Sequence, residues 1–224
     1  MRDHPQLPLD LGLAPRFGRE DFLVSQSNAD AYGWIEIWPD WPSRMLLLMG
    51  PLAAGKSHLA AIWAQDAKAM IVPAKALKAA DLPALLTSGA AVIEDIDVDD
   101  RDEAALFHLI NLAQEQNAFL LLTTRKALPE IVIATPDLLS RLRKLPLVSI
   151  ASPDDALIRA LLVKLFVDRQ LVVDTALVDY LCPRIERSFA GVNQIVEKLD
   201  RETLARGKRL TRSMAAKIHG LVGE

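Results

Sequence analysis

The sequence predicts an α/β fold in which a five-stranded parallel sheet is followed by a small domain made only of helices. Short apolar runs alternate with helical patterns along the first two thirds of the chain, and a glycine-rich stretch follows the first strong run. No further strand pattern occurs after residues 152–155. Continuously apolar strands separated by helices are typical of a parallel sheet that is covered on both faces.

The first helix is expected to start at Asn28 and to stop before Pro39. Its tryptophans Trp34 and Trp38 lie four residues apart, a spacing that favours packing over a binding role. A later amphipathic helix is expected at about 103–116, with Asp102 placed to cap it. The five strands are expected at residues 45–49, 70–72, 91–95, 119–124 and 147–150.

Helical patterns alone fill the last part of the chain. They run at about 154–169, 175–182, 188–206 and 211–219. We therefore expect three parts: an extended peptide at 1–16, a nucleotide-binding α/β domain at 17–152 and a helical lid domain at 153–224.

The composition is that of a folded protein with a sizeable core. The chain has 224 residues, of which 51% are hydrophobic, and a formal charge of −3. A single cysteine, Cys182, excludes an internal disulfide, and no signal segment opens the chain, so we expect a reduced, cytoplasmic protein. Apolar runs such as 45–49 are far shorter than the roughly 18 residues of a membrane helix, so we expect no membrane partner.

Charge is distributed unevenly along the chain. Residues 183–224 hold nine Lys/Arg against five Asp/Glu. This basic excess can meet an acidic partner, including DNA reached indirectly, or it can form a solvated helical face. The sequence leaves both interpretations open.

The glycine-rich stretch "GPLAAGKS" at 50–57 follows the first strand and opens a helix. This pattern and its context predict a phosphate-binding loop, with Lys56 facing the phosphates and the Ser57 hydroxyl as a ligand of Mg²⁺. Ala53 stands where many such loops carry another glycine, which costs about 1 kcal/mol if the position requires a positive φ. The expected nucleotide contacts are Gly50, Pro51, Leu52, Ala53, Ala54, Gly55, Lys56, Ser57 and His58.

Polar residues end the third and fourth strands, at the edge where parallel sheets bind ligands. In "AVIEDID", Glu94 is placed to hold Mg²⁺ and Asp95 to orient an attacking water, although the register also allows Asp95 on the metal side. At the end of "FLLLTT", Thr123 or Thr124 is placed to sense the γ-phosphate. Of the two threonines, Thr124 is the expected catalytic residue.

The stretches "GPLAAGKSHL", "VIEDID", "LLLTTR" and "LLSRLRKLPLVSIASPDD" together resemble the AAA+ module of the bacterial replication initiator DnaA. The resemblance covers about residues 17–220 and implies ADP or ATP as the nucleotide, with Val24 and Asn28 in "DFLVSQSN" beside the adenine. DnaA carries a further DNA-binding domain that this sequence lacks. An AAA+ module without that domain is similar to the Hda family, the regulatory inactivators of DnaA.

The peptide "QLPLDL" at 6–11 fits the same family. It is similar to the short peptides that dock into the hydrophobic pocket of the replication sliding clamp. Pro8 stiffens the chain before binding and so lowers the entropy cost. The expected clamp contacts are Gln6, Leu7, Leu9 and Leu11.

The resemblance also implies an arginine that acts on the nucleotide of a neighbouring subunit. Arg141 in "SRL" occupies the matching place, and Arg143 and Lys144 are alternatives. The lid arginine of the family falls near Ala190, so it is absent here unless Arg187 replaces it.

The expected function is therefore control of replication initiation. The chain binds an adenine nucleotide, docks on the clamp and promotes hydrolysis of the ATP held by DnaA, with a weak ATPase of its own and a possible homo-oligomer. The alternative is an autonomous AAA+ ATPase that loads or remodels a helicase on DNA.

Overall fold

We describe residues 17–206 and 210–218 of the chain from a computed structural model. The elements in these residues, in chain order, are α1 (Ala29–Glu36), β1 (Met45–Met49), α2 (Lys56–Ala67), β2 (Met70–Pro73), α3 (Leu82–Leu85), β3 (Ala90–Glu94), α4 (Glu103–Glu115), β4 (Phe119–Thr124), α5 (Pro136–Leu142), β5 (Leu147–Ser149), α6 (Asp155–Asp168), α7 (Thr175–Leu181), α8 (Phe189–Arg206) and α9 (Arg212–Ile218). All five predicted strands are present, each within one residue of its expected bounds.

The strands form one parallel sheet in the order β2-β3-β4-β1-β5. Within it, Leu47 of β1 pairs with Leu122 of β4 on one side and with Leu147 of β5 on the other. Because all strands run the same way, their last residues share one edge of the sheet and their first residues share the other. We call these the carboxyl edge and the amino edge.

The side chains of β1 alternate between two apolar layers, as the pleat of a strand requires. Leu47 joins the cluster formed with α3, α4 and α5, whereas Leu46 and Leu48 join the cluster formed with α1 and α2. Trp63 of α2 is fully buried in the second layer and stacks on Trp41 at 5.2 Å between ring centroids. Helices therefore cover both faces of the sheet, as its apolar strands predict.

The edge strand β2 is not buried on both faces. Its residues Met70 and Ile71 are exposed, because β2 has a neighbouring strand on one side only. The expectation of full burial holds for the central strands.

Aspartate side chains cap the starts of three helices among the described residues, α4, α6 and, through Asp174, α7. The Asp102 side chain accepts a hydrogen bond from the amide of Ala105 at 2.9 Å, which confirms the predicted cap of α4. At the start of α6, the Asp154 side chain accepts a hydrogen bond from the amide of Leu157 at 2.7 Å.

Helices α6 to α9 pack around an apolar cluster of their own, which includes Ile158, Phe166 and Leu199. Leu23, from the segment before α1, packs against this cluster and links the two parts of the chain. No helix among the described residues has the length and apolar character needed to cross a bilayer.

Candidate functional site

The loop between β1 and α2 adopts a conformation that depends on its small residues. A Cβ on Gly50 would lie 2.9 Å from the carbonyl oxygen of Ile150, so only glycine fits there. Gly55 has φ of 101° and Ala53 has φ of 56°, so the position of Ala53 does require a left-handed backbone. The first amide groups of α2 have no partner within the helix, as at every helix start, and the N-cap residue Gly55 has no side chain to supply one.

Lys56 is the first residue of α2 and is only 6% exposed. Its Nζ donates to the carbonyl oxygens of Gly50 at 2.7 Å and Pro51 at 2.8 Å. No carboxylate in the described part of the chain pairs with it, and burial lowers the pKa of its ammonium group, partly opposed by the charge of Asp95. A buried cation without a counter-ion at an uncapped helix start is an arrangement that fits a phosphate group.

This loop forms one wall of a cleft of about 230 Å³ between the sheet and helices α6 and α8. Lys56, Asp95 and Arg125 lie beside the loop and the carboxyl edge and make up its charged end, whereas the charged lining residue Asp21 pairs with Lys164 of α6. The remainder is largely apolar and includes residues from the lid. Among the apolar lining residues are Phe17, Phe22, Leu23, Leu52, Pro153, Leu157, Leu161, Phe189 and Ala190.

Aromatic contacts hold the segment before α1 over the phosphate-binding loop. The ring of His58 lies edge-on to Phe17 at 5.4 Å and to Phe22 at 5.1 Å, and its Nε2 lies 2.8 Å from the carbonyl oxygen of Gly18. Phe22 also stacks on Tyr32. The sequence analysis did not identify Phe17 and Phe22 as site residues. The available signal was the occurrence of two aromatic residues in the short segment that precedes α1.

Of the two residues expected beside the adenine, Asn28 lines the cleft and Val24 does not. Val24 is 51% exposed, and Leu23 takes the place in the lining. The buried Asn28 side chain accepts from the amide of Ser25 at 2.8 Å and donates to the carbonyl of Leu23 at 2.9 Å. Asn28 thus shapes the turn that places Leu23 in the cleft.

The acidic end of β3 presents two different carboxylates. Asp95 lines the cleft with a left-handed φ of 55°, and its amide donates to Thr123 Oγ1 at 2.9 Å. Glu94 does not line the cleft, and its Oε1 is buried without a hydrogen-bond partner among the described residues. Thr124, at the end of β4, donates through Oγ1 to the carbonyl of Lys126 at 2.9 Å.

These groups fit part of a Mg²⁺ site. Hard oxygen donors suit this ion, which commonly takes one or two protein ligands and completes its shell with phosphate oxygens and water. The exposed Ser57, the unpartnered oxygen of Glu94 and the carboxylate of Asp95 are the donors at hand. Within the residues described, no group of three or more His, Cys, Asp or Glu is arranged to hold a metal alone.

Arg125 is a residue of the site that sequence reasoning missed. Its guanidinium lines the cleft and forms an ion pair with Asp95 at 2.6 Å, which raises the pKa of Arg125. The two residues are separated by 30 positions, and the contact arises because β3 and β4 are neighbours in the sheet.

Arg141 lies away from this cleft. It sits in α5, where its Nη1 donates to Gln114 Oε1 at 2.9 Å and its guanidinium lies 5.2 Å from the ring centre of Phe107. With Arg44 and Lys144 it lines a second cavity, of about 330 Å³. That cavity contains Met45 and Ala118, so it opens at the amino edge, whereas the phosphate-binding loop lies at the carboxyl edge.

In the lid, Ala190 lines the cleft and Arg187 does not. Arg187 pairs with Asp155 at 2.6 Å on an exposed surface. The predicted clamp contacts Gln6, Leu7, Leu9 and Leu11 lie outside the described residues.

No family model matches the sequence, and no curated protein matches it. Solved structures do match. Domain III of the replication initiation protein DnaA from Thermotoga maritima superposes with a TM-score of 0.76 at 16% identity, covering 92% of this chain and 96% of that one.

A DnaA bound to AMPPCP and single-stranded DNA gives a TM-score of 0.71 at 18% identity over 88% of this chain and 69% of that one. The Holliday junction branch migration motor RuvB from Thermotoga maritima gives a TM-score of 0.64 at 16% identity, covering 80% of this chain and 61% of that one. At these identities the likeness shows the fold. The chain has the P-loop AAA+ fold of DnaA domain III and RuvB, which confirms the expected fold class.

Proposed function

We propose that the chain binds an adenine nucleotide in the cleft beside Lys56. The observation that carries this proposal is the buried Lys56 ammonium, whose partners within the described part of the chain are two carbonyl oxygens and no carboxylate. Burying a cation without a counter-ion is costly, and a bound phosphate removes that cost. A DnaA of the same fold was solved with AMPPCP, which supports the same class of ligand here.

The polarity of the cleft sets the direction of the nucleotide. The apolar end, with Phe22 and Leu161, suits the base, and the charged end suits the phosphates. The first amides of α2 and Lys56 bind the phosphates, and Ser57 with Glu94 or Asp95 holds Mg²⁺. When bound, Mg²⁺ neutralises phosphate charge and orients the terminal phosphate.

We further propose that intrinsic hydrolysis is weak. Ala190 lines the cleft at the place where the family resemblance implies a lid arginine. This position therefore supplies no charge to stabilise a transferred phosphate.

The biological role that we propose is that of an Hda-like cytoplasmic regulator. The α/β domain and the lid hold the nucleotide, residues 6–11 dock on the sliding clamp, and Arg141 acts on the ATP of a DnaA partner. The support for this role is the position of Arg141. It lies at the amino edge, away from the chain's own phosphate site, and its described contacts are with the neutral side chains of Gln114 and Phe107, which leaves its charge for an anion held by a neighbour.

Clamp binding is the most direct test of this role. We expect the double variant Gln6→Ala and Leu9→Ala to lose binding to purified clamp by surface plasmon resonance while its thermal unfolding stays unchanged. Asp10→Ala is the matched control within the same peptide and should bind. Unchanged affinity of the double variant would refute the docking peptide, and vigorous DNA-stimulated ATP turnover without a partner would favour the helicase-loader alternative.

A further inference from the structure

The charged end of the cleft contains an arginine whose role the proposed function leaves open. Arg125 is the only guanidinium among the described residues that line the cleft. Its Nη2 donates to Asp95 Oδ2 at 2.6 Å and its Nε to Oδ1 at 3.2 Å. An anion entering the cleft therefore meets two different cations: Lys56, which no carboxylate in residues 17–206 or 210–218 pairs with, and Arg125, which is paired with Asp95.

The backbones beneath this pair are fixed. The amide of Arg125 donates to Asp97 Oδ1 at 2.9 Å, and the amide of Asp95 donates to Thr123 Oγ1 at 2.9 Å. The left-handed φ of Asp95 is held in place by these contacts between the ends of β3 and β4. Any rearrangement of the pair is therefore confined to its side chains.

The pair itself is exchangeable. The Arg125 and Asp95 side chains are 41% and 32% exposed, and partly exposed ion pairs contribute little net stability. A phosphate accepts the same two-pronged hydrogen bonds from a guanidinium as a carboxylate does. Arg125 can therefore leave Asp95 for a phosphate at small cost.

The position of Arg125 determines which phosphate group of a bound nucleotide it contacts. The amide of Gly50, the first residue of the loop, donates to the carbonyl of Thr124 at 3.1 Å, so Arg125 follows directly beside the loop. With the base in the apolar end, the phosphate farthest from the base lies at the charged end. Lys56 and the first amides of α2 serve the inner phosphates, and a third phosphate extends toward Arg125.

We propose that Arg125 is the residue that distinguishes a nucleoside triphosphate from a diphosphate in this cleft. It binds the terminal phosphate of the triphosphate and remains on Asp95 when a diphosphate is bound. This inference rests on the proposed nucleotide binding. It also implies that the carboxylate of Asp95 is released from Arg125 when a triphosphate is bound and stays paired with Arg125 when a diphosphate is bound.

Calorimetric titration of the full chain with AMPPCP and with ADP, both with Mg²⁺, tests the proposal. Arg125→Ala should weaken AMPPCP binding by roughly 10- to 100-fold, the range of a charge-assisted hydrogen bond, and ADP binding by about twofold or less. Lys126→Ala is the matched control, because Lys126 is an exposed neighbour of the same charge outside the cleft lining. It should change neither affinity.

A second variant separates direct contact from neutralisation of Asp95. If Arg125 binds the terminal phosphate, the double variant Arg125→Ala with Asp95→Asn should remain weak toward AMPPCP. Recovery of wild-type AMPPCP affinity in the double variant would overturn the direct contact. Should Arg125→Ala not fold, Arg125→Lys should show a smaller loss in the same direction, since lysine keeps the charge without the planar fork.

The remaining outcomes are distinct. Equal losses for AMPPCP and ADP in Arg125→Ala overturn this inference and leave nucleotide binding intact. A wild-type chain that binds neither nucleotide overturns the proposed function and, with it, this inference.

Discussion

The two edges of the sheet both carry cations, but in opposite surroundings. At the carboxyl edge, Lys56 is buried against its own loop and faces a cleft within the same chain. At the amino edge, Arg44 and Lys144 are exposed and Arg141 is partly exposed, and none of the three pairs with a carboxylate in the described residues. β1 separates the two edges by five residues, which is roughly 15 Å.

This difference teaches what each edge is suited to do. A buried cation without a counter-ion needs an anion that enters its own cleft, whereas an exposed cation cluster is available to a group carried by another molecule. One sheet can therefore receive a nucleotide at one edge and offer an arginine at the other. The predictions below test that separation.

The largest effect is expected at the amino edge. In a mixture of clamp loaded on DNA and ATP-charged DnaA, Arg141→Ala should slow the conversion of bound ATP to ADP by about 10³-fold, the lower range for an arginine that acts on a neighbour's phosphate. Arg141→Lys should also be impaired, because a lysine cannot make the planar contacts of a guanidinium.

Arg143→Ala is the matched control for this prediction, since Arg143 is exposed two residues away. It should convert DnaA-bound ATP like the wild type. If Arg143→Ala fails and Arg141→Ala does not, the acting arginine is misassigned. If neither variant matters, an arginine of α5 or its end does not act on the ATP of DnaA, and the proposed mechanism is wrong.

A smaller effect is expected in the pH dependence of ADP binding. Burial lowers the pKa of Lys56 below its ordinary 10.5, and a bound phosphate should raise it again by stabilising the ammonium. Binding should therefore take up protons at alkaline pH below 10.5, and affinity should fall as pH rises through the lowered pKa of the free protein.

Titrations in two buffers of different ionisation enthalpy measure this proton uptake. Lys56→Arg should abolish it, because an arginine stays charged over the whole range. Absence of uptake in the wild type would contradict the assignment of Lys56 as the phosphate-facing charge. The same pKa shift predicts that the unfolded chain holds more protons in this window, so the free energy of unfolding attributable to Lys56 rises with pH there.

The smallest effect concerns the shape of the loop. Ala53→Gly relieves a positive φ and should raise the free energy of unfolding by about 0.5 kcal/mol, since relief of backbone strain is partly offset by the greater freedom of glycine when unfolded. Ala54→Gly is the matched control. Ala54 is buried and has no positive φ, so this variant should lower the free energy of unfolding by about 1 kcal/mol. Urea unfolding that gives the same sign for both variants would contradict the strain at Ala53.

The sequence predicted the sheet closely because its strands are continuous apolar runs, and it predicted the loop because glycines and Lys56 occur in a known pattern. It also identified Ala53 as the position at which a positive φ would be strained. These are local signals, and each can be recognised within about ten residues.

What the sequence could not predict depends on contacts between distant segments. In the sequence, Arg125 is a residue that follows a strand, and nothing marks it as a site residue. Its role is visible only in the fold, where the neighbouring strand β3 places Asp95 beside it. Leu23 rather than Val24 lines the cleft because the side chain of Asn28 donates to the carbonyl of Leu23 and fixes the turn between these two residues. Ala190 lies in the cleft only because α8 packs over the loop, where the amide of Phe189 donates to the carbonyl of Ala53 at 3.3 Å.

One measurement tests the separation of the two edges most directly: the ADP affinity of the wild type, Lys56→Ala and Arg141→Ala, determined side by side by calorimetry. We expect the wild type to bind ADP at a single site, Lys56→Ala to lose at least about 100-fold in affinity, and Arg141→Ala to bind like the wild type. Absence of binding in the wild type, equal affinity in Lys56→Ala, or a comparable loss in Arg141→Ala would contradict the account.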